Sequence, residues 1–161
     1  MIAVIIPCFN VKKHISGVLD GIGPEVVKIY VVDDCCPENT GKYVEAGFED
    51  QRIVVLYNQE NRGVGGAVKA GYQEALQGPC SIFVKLDGDG QMNPDSIAAL
   101  VSPLIDGRAD YAKGNRFHSL EFLEGMPAIR IIGNALLSLL NQKRQECVAY
   151  NPYRRHSLQK F

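Results

Sequence analysis

Apolar residues along the chain come in short runs separated by longer stretches of mixed character. The runs "IAVII" (2–6), "VKIYVV" (27–32), "IVVLY" (53–57) and "SIFVKL" (81–86) carry few charges and predict strands. Between them, "VKKHISGVLDGI", "NTGKYVEAGF" and "GVGGAVKAGYQEALQG" predict helices. In the third, Val64, Val68, Tyr72, Ala75 and Leu76 form a stripe at helical spacing, stopped by Gly78 and Pro79. A fourth helix is expected after "MNPD", where Pro94 suits a first helical position and Asp95 favours the amino end. It runs through Ile97, Leu100 and Val101 towards Ile105. "ADYAK" (109–113) is a further short strand candidate, and "AIRIIGNALLSLLNQ" has long helical apolar character.

Strand–helix alternation of this kind implies an α/β fold of three layers, a mainly parallel sheet with helices on both faces. Ligands in such folds bind beyond the carboxyl ends of the strands, near the point where strand order reverses. The polar residues that follow the predicted strands are Asn10, Asp33, Asp34, Asp87 and Asp89. All are therefore expected on one rim.

"VKLDGDGQMNP" (84–94) sharpens this expectation, because an apolar strand runs directly into two carboxylates one residue apart. Unpaired carboxylates beside a core are costly, whereas a shared divalent cation relieves their repulsion and adds positive charge for a phosphate. Mg²⁺ and Mn²⁺ both suit such oxygen ligands. An EF-hand is excluded, since Ala98 stands where its twelfth-position glutamate belongs. A capped turn is the plainer alternative for Asp-x-Asp alone. Asp33 or Asp34 offers a carboxylate to nucleobase N–H groups or ribose hydroxyls, against an ordinary turn and helix cap. "NRGVGGAVKAG" (61–71) fails as a dinucleotide fingerprint, because Val68 stands where its third glycine belongs. Its glycines permit a close turn and helix approach, and Asn61 and Arg62 are candidate ligand contacts. Arg116, in "AKGNRF", is a candidate phosphate clamp or a surface charge.

Composition narrows the field further. With 161 residues, 46% hydrophobic and 22% charged, the chain suits one soluble domain. No apolar run approaches the length of a membrane span, and "MIAVIIPCFN" lacks the basic start of a signal peptide, so the expected location is the cytoplasm. Cys8, Cys35, Cys36, Cys80 and Cys147 form no CxxC pair and read as reduced thiols. No G-x-S-x-G elbow supports triad hydrolysis, and the three histidines form no metal pattern. From Asn141 onward Lys143, Arg144, Arg154, Arg155 and Lys160 face only Glu146. The acidic remainder offers no broad surface for nucleic acid, while the basic end offers contact with anionic lipid headgroups. The expected organisation is a domain over 1–141 and a divergent basic tail over 142–161.

Taken in order, "VIIPCFN" (4–10), "IYVVDDCCPENT" (29–40), "NQENRGVGGAVKAGYQEAL" (58–76), "FVKLDGDGQMNPD" (83–95) and "ADYAKGNRF" (109–117) resemble the catalytic region of a family 2 glycosyltransferase of GT-A fold. Within that group the chain most resembles the polyprenol-phosphate sugar transferases. The resemblance implies a UDP- or GDP-sugar donor, an inverting transfer, and Mn²⁺ or Mg²⁺ held at the donor diphosphate. The implied acceptor is a polyprenyl phosphate or another glycosyl acceptor, with peripheral contact at the cytoplasmic face of the membrane. Pro7 and Phe9 would line the nucleoside pocket, Asp34 would contact the base, and Asp33 would support that contact or the ribose. Asp87 would orient the sugar or ribose, Asp89 would hold the metal with Asp87 beside it, and Gln91 would assist at the diphosphate. Asn61 falls on the donor side, and Arg116 would contact the acceptor phosphate or the donor. Two departures stand out: Val11 replaces the glutamate of many relatives, and the resemblance ends near Asn141, before an acceptor-binding region. A donor-binding remnant without transfer activity is the alternative, followed by a nucleotidyltransferase and a purely structural module.

Overall fold

The computed structural model describes residues 1–114 and 148–150. Its elements run β1 (Ile2–Cys8), α1 (Ile15–Asp20), β2 (Val26–Asp33), α2 (Thr40–Gly47), β3 (Ile53–Tyr57), α3 (Gly63–Ala75) and β4 (Ile82–Lys85). A 3-10 turn (Pro94–Ser96), α4 (Ile97–Ile105), β5 (Tyr111–Lys113) and β6 (Val148–Tyr150) complete the set. Asn93 caps the 3-10 turn by accepting the Asp95 N–H at 3.0 Å, with Pro94 following it as the sequence suggests. The "RIIGNALLSLLN" segment lies outside the described residues.

The six strands form one sheet in the order β3-β2-β1-β4-β6-β5. β1 pairs in parallel with β2 and β4, and β2 with β3. β6 runs antiparallel between β4 and β5. The expected mainly parallel sheet is therefore present, and chain order reverses across β1. β1 feeds β2 and β3 to one side, while β4 lies on the other. Every residue of β1 is buried, because helices cover both faces and no alternation of polar residues is needed. On one face Val4, Ile6, Val31 and Val84 pack with Ile15 of α1, Val44 of α2 and Val101 of α4. On the other Ala3, Ile5, Val32 and Phe83 receive α3.

α3 docks through a stripe that overlaps only in part with the one its sequence suggests, sharing Ala75 and Tyr72 with it. Its buried positions are Ala67, Gly71 and Ala75, whereas Val64 and Leu76 are 46% and 44% exposed. The reason is closeness of approach: a Cβ at residue 71 would lie 2.5 Å from Ile5 Cγ2 and 3.1 Å from Val32 Cγ2. Small residues let the helix backbone settle on the sheet, and the larger Tyr72 packs edge-on against Phe83 beside the contact. Gly71→Val is accordingly expected to destabilise the domain by about 1–3 kcal/mol through overpacking. A urea unfolding midpoint indistinguishable from that of the parent would contradict this account.

A second difference concerns the expected tail. Val148–Tyr150, inside the 142–161 segment, enter the sheet, and Ala149 is fully buried against the core. Backbone pairing to β4 and β5 recruits a segment too short to show a period of its own. The sheet thus extends past the expected boundary at Asn141.

Candidate donor-binding site

At the carboxyl ends of β1, β2 and β4, a cavity of about 490 Å³ opens where the strand order reverses. That volume suits a small organic ligand. Pro7, Phe9, Val11 and Val64 supply its apolar wall, and Asn10, Asp34, Asn61, Asp87 and Asp89 its polar one. The loop leaving β1 is shaped by Asn10, whose φ of 56° is one that asparagine tolerates well. Its backbone N–H donates to Cys36 Sγ at 3.2 Å, tying the β1 loop to the β2 loop.

The two adjacent aspartates after β2 do different work, because neighbouring residues on a strand face opposite ways. Asp33 is 3% exposed and absent from the cavity wall. Its carboxylate accepts the backbone N–H of Cys36 and that of Gly41, each at 2.7 Å. Both oxygens are thus engaged by the loop and the start of α2. Asp34 does line the cavity. It accepts from Asn58 Nδ2 at 2.6 Å and from the backbone N–H of Arg62 at 3.0 and 3.1 Å. The carboxylate therefore fixes the segment leading into α3 while facing the cavity.

Asn61 caps the same turn, its Oδ1 accepting the Gly63 N–H at 2.9 Å. Arg62 is exposed and sits 3.6 Å from Glu60.

After β4 the chain turns through Asp87, Gly88 and Asp89, all three in the cavity wall. Gly88 sits closely packed: a Cβ there would lie a tight 3.1 Å from Val11 Cγ2 and at ordinary contact, 3.4 Å, from Cys8 Sγ. The glycine between the carboxylates thus lets the β4 turn pack on the β1 loop. Asp89 Oδ1 accepts the backbone N–H of Gln91 at 3.0 Å. Gln91 itself is exposed and its side chain is not part of the cavity wall, so its expected diphosphate contact is not preformed here. Arg116 lies outside the described residues.

Sequence reasoning assigned no role to Lys85. It is 6% exposed in the last position of β4, and its Nζ pairs with Asp87 Oδ1 at 2.5 Å. The signal was present as a lysine in an apolar strand two residues before a carboxylate, a spacing that puts both on one side.

The thiols of Cys8, Cys35 and Cys36 at this end are free, as is that of Cys80, which precedes β4. Burial, followed by the negative charge of Asp33 and Cys36, pushes the Cys8 thiol well above its ordinary pKa. Burial also raises that of Cys36, but hydrogen bonds from Thr40, Asn10 and Glu38 outweigh it and leave the pKa below its ordinary value.

A larger cavity of about 620 Å³ lies at the opposite end, among Ser16, Tyr43, Phe48 and Arg52. Its only arginine is already committed, paired with Asp50 at 2.8 Å and donating to the carbonyls of Gly23 and Val26. The smaller cavity is the one that gathers Asp34, Asp87 and Asp89.

A family model, "Glycosyl transferase family 2", matches residues 3–153. This chain belongs to that family. Among curated relatives, the UDP-N-acetylglucosamine–dolichyl-phosphate N-acetylglucosaminyltransferase of Methanococcus voltae is 29% identical, over 87% of this chain and 61% of its own length. The polyprenol monophosphomannose synthase of Mycolicibacterium smegmatis is 29% identical, over 98% of this chain and 63% of its own. The family 2 chain described here thus spans about three fifths of these relatives.

Solved structures agree on the fold. The mannosyltransferase PcManGT of Pyrobaculum calidifontis, in complex with GDP-Man and Mn²⁺, superposes with a TM-score of 0.65 at 19% identity. That match covers 93% of this chain and 44% of the other. Glucosyl-3-phosphoglycerate synthase of Mycobacterium tuberculosis, with Mn²⁺ and UDP, gives 0.62 at 21% identity, covering 94% and 56%. The fold is of GT-A type, as the sequence motifs imply.

Proposed function

We propose that this domain binds a nucleotide-diphosphate sugar and is the donor half of a metal-dependent, inverting sugar transferase. The observation that carries the reading is the convergence of Asp34, Asp87 and Asp89 on one cavity at the β1/β4 switch point. Pro7 and Phe9 form the apolar wall for the nucleoside, and Asp34 accepts N–H groups of its base. Asp33 supports Asp34 from behind by fixing the loop that follows both. Asp87 accepts sugar or ribose hydroxyls, while Arg116 and Gln91 serve phosphate groups.

The residues present fit a hard divalent ion. The donors in the wall include carboxylate oxygens, and among the described residues Asp89 is engaged by one backbone N–H. Among the described residues no three histidine, cysteine or acidic side chains gather as a cage. Mg²⁺ and Mn²⁺ take few protein ligands and complete their shell with water and substrate phosphate. Asp89 is the principal ligand, with Asp87 beside it. When bound, the ion supplies positive charge that stabilises the departing diphosphate.

In the reaction, an acceptor phosphate oxygen attacks the anomeric carbon as the bond from that carbon to the diphosphate oxygen breaks. The nucleoside diphosphate leaves with the bonding electrons, and a single displacement inverts the centre. An acceptor that is already anionic needs no strong protein base. The acceptor class favoured is a polyprenyl phosphate, following the relatives named above, which implies work at the cytoplasmic membrane face. Among the described residues no helix is long and apolar enough to cross a membrane. The second reading is a donor-binding module without transfer activity.

Calorimetry with UDP and GDP, each with and without Mn²⁺, tests the donor site. The expected dissociation constant for the preferred nucleotide with Mn²⁺ lies between about 1 μM and 1 mM, the usual substrate range. Heat-silent titrations in all four conditions would overturn the reading. Labelled donor, Mn²⁺ and polyprenyl phosphate in detergent then separate the two readings: multiple turnovers support the transferase, binding without turnover the module.

A further inference from the structure

We infer that Lys85 is a positioning residue that divides the carboxylate pair, holding Asp87 for hydroxyl recognition and leaving Asp89 as the metal's anionic ligand. The inference rests on the donor-site reading and goes beyond it by giving the two aspartates unequal charge environments.

The argument begins with β4. Its residues pair in parallel with β1, placing Lys85 opposite Ile5, and with β6, placing Lys85 opposite Val148. A lysine enclosed in this way is unusual, because removing an ammonium from water is costly unless a negative group lies close. Asp87 meets that need at 2.5 Å, and its side chain remains 24% exposed on the cavity side. Lys85 is not part of the cavity wall. It reaches the site through Asp87, from behind.

Two consequences follow. One Asp87 oxygen is held by the ammonium, so the carboxylate is fixed in orientation and its other oxygen is available to accept a hydroxyl. The local charge of the Asp87/Asp89 pair also falls from two negatives towards one. A divalent ion then meets a single uncompensated carboxylate, and tight binding awaits the negative charge of the donor diphosphate. Lys85 thereby makes metal binding depend on the nucleotide. In its absence the pair would present two free carboxylates and attract the ion alone.

Manganese binding without nucleotide, followed by the loss of the free-ion electron paramagnetic resonance signal, tests this. Lys85→Met keeps length and apolar bulk while removing the charge. It is expected to tighten nucleotide-free Mn²⁺ binding by roughly tenfold, the scale for one unit charge near a divalent ion in a hydrated site. Adding Asp87→Asn to Lys85→Met is expected to reverse the gain. A lysine that merely stabilised the fold would lower the unfolding midpoint of Lys85→Met and leave its Mn²⁺ affinity at the parent value. That outcome overturns the inference, as does a gain that persists in the double variant. If Lys85→Met does not fold, Lys85→Gln gives the same charge change with a polar end. The parent titration with UDP or GDP and Mn²⁺ stands apart. Its failure removes the donor reading, whereas unchanged Mn²⁺ affinity in folded Lys85 variants removes only the role of Lys85.

Discussion

Asp89→Asn is expected to weaken Mn²⁺-assisted binding of a nucleoside diphosphate by on the order of 100-fold, about 2.7 kcal/mol. Asparagine keeps the volume and one side-chain oxygen, which can still accept the Gln91 N–H that holds this turn at 3.0 Å. What disappears is the negative charge, and affinity for a hard divalent ion rises and falls with ligand charge. Asp89 is half-buried at the end of the β4 turn and contributes nothing to either apolar cluster, so the unfolding midpoint should stay near the parent value. Binding of the nucleotide without metal should change little, because Asp34 and the apolar wall are untouched. Calorimetry of the folded variant with and without Mn²⁺ is the direct measurement. A metal dependence equal to that of the parent would show that Asp89 is not the ligand.

The largest effect on stability is expected at Asp33, four positions beyond Ile29 on β2 and just short of the cavity. Asp33→Ala removes two hydrogen bonds of 2.7 Å and leaves the N–H groups of Cys36 and Gly41 without that acceptor. Both residues are buried. Leaving a buried donor unsatisfied costs ~1–3 kcal/mol, so the pair together should cost about 4 kcal/mol. Against a total of roughly 5–15 kcal/mol for a domain of this kind, that is a severe loss. Denaturant unfolding of Asp33→Ala measures it, with Asp33→Asn expected between variant and parent because one acceptor oxygen remains. A variant that stays as stable as the parent yet loses nucleotide binding would instead make Asp33 a direct donor ligand.

Much of this architecture was legible along the chain. Runs of apolar residues without alternation mark strands buried on both sides, and amphipathic stretches between them mark the covering helices. That logic located β1 to β4 within one or two residues and put the polar residues after β1, β2 and β4 at one edge. Chemistry was legible wherever it depends on which residue follows which strand, because a parallel sheet brings all carboxyl ends to one side.

What the sequence could not convey is partnership across the sheet. Adjacent Asp33 and Asp34 look equivalent on the page, yet opposite-facing side chains send one to buried backbone N–H groups and the other to the cavity. Lys85 reads as a stray charge in a strand until β4 is enclosed by β1 and β6, when burial compels it to find Asp87. The α3 stripe was misread in part for a similar reason. Hydrophobic size predicts which residues prefer to leave water, but Ile5 and Val32 on the facing strands leave no room for a side chain at Gly71, so the helix docks there. Val148–Tyr150 carry too few residues for any period, and their place in the sheet comes from backbone pairing with strands far away in the chain. The sequence by itself determined the layers, the strand ends and the acidic edge, since these follow from local patterning. Tertiary structure alone decided which carboxylate lines the cavity and which is paired with a buried lysine, because those outcomes depend on contacts between distant segments.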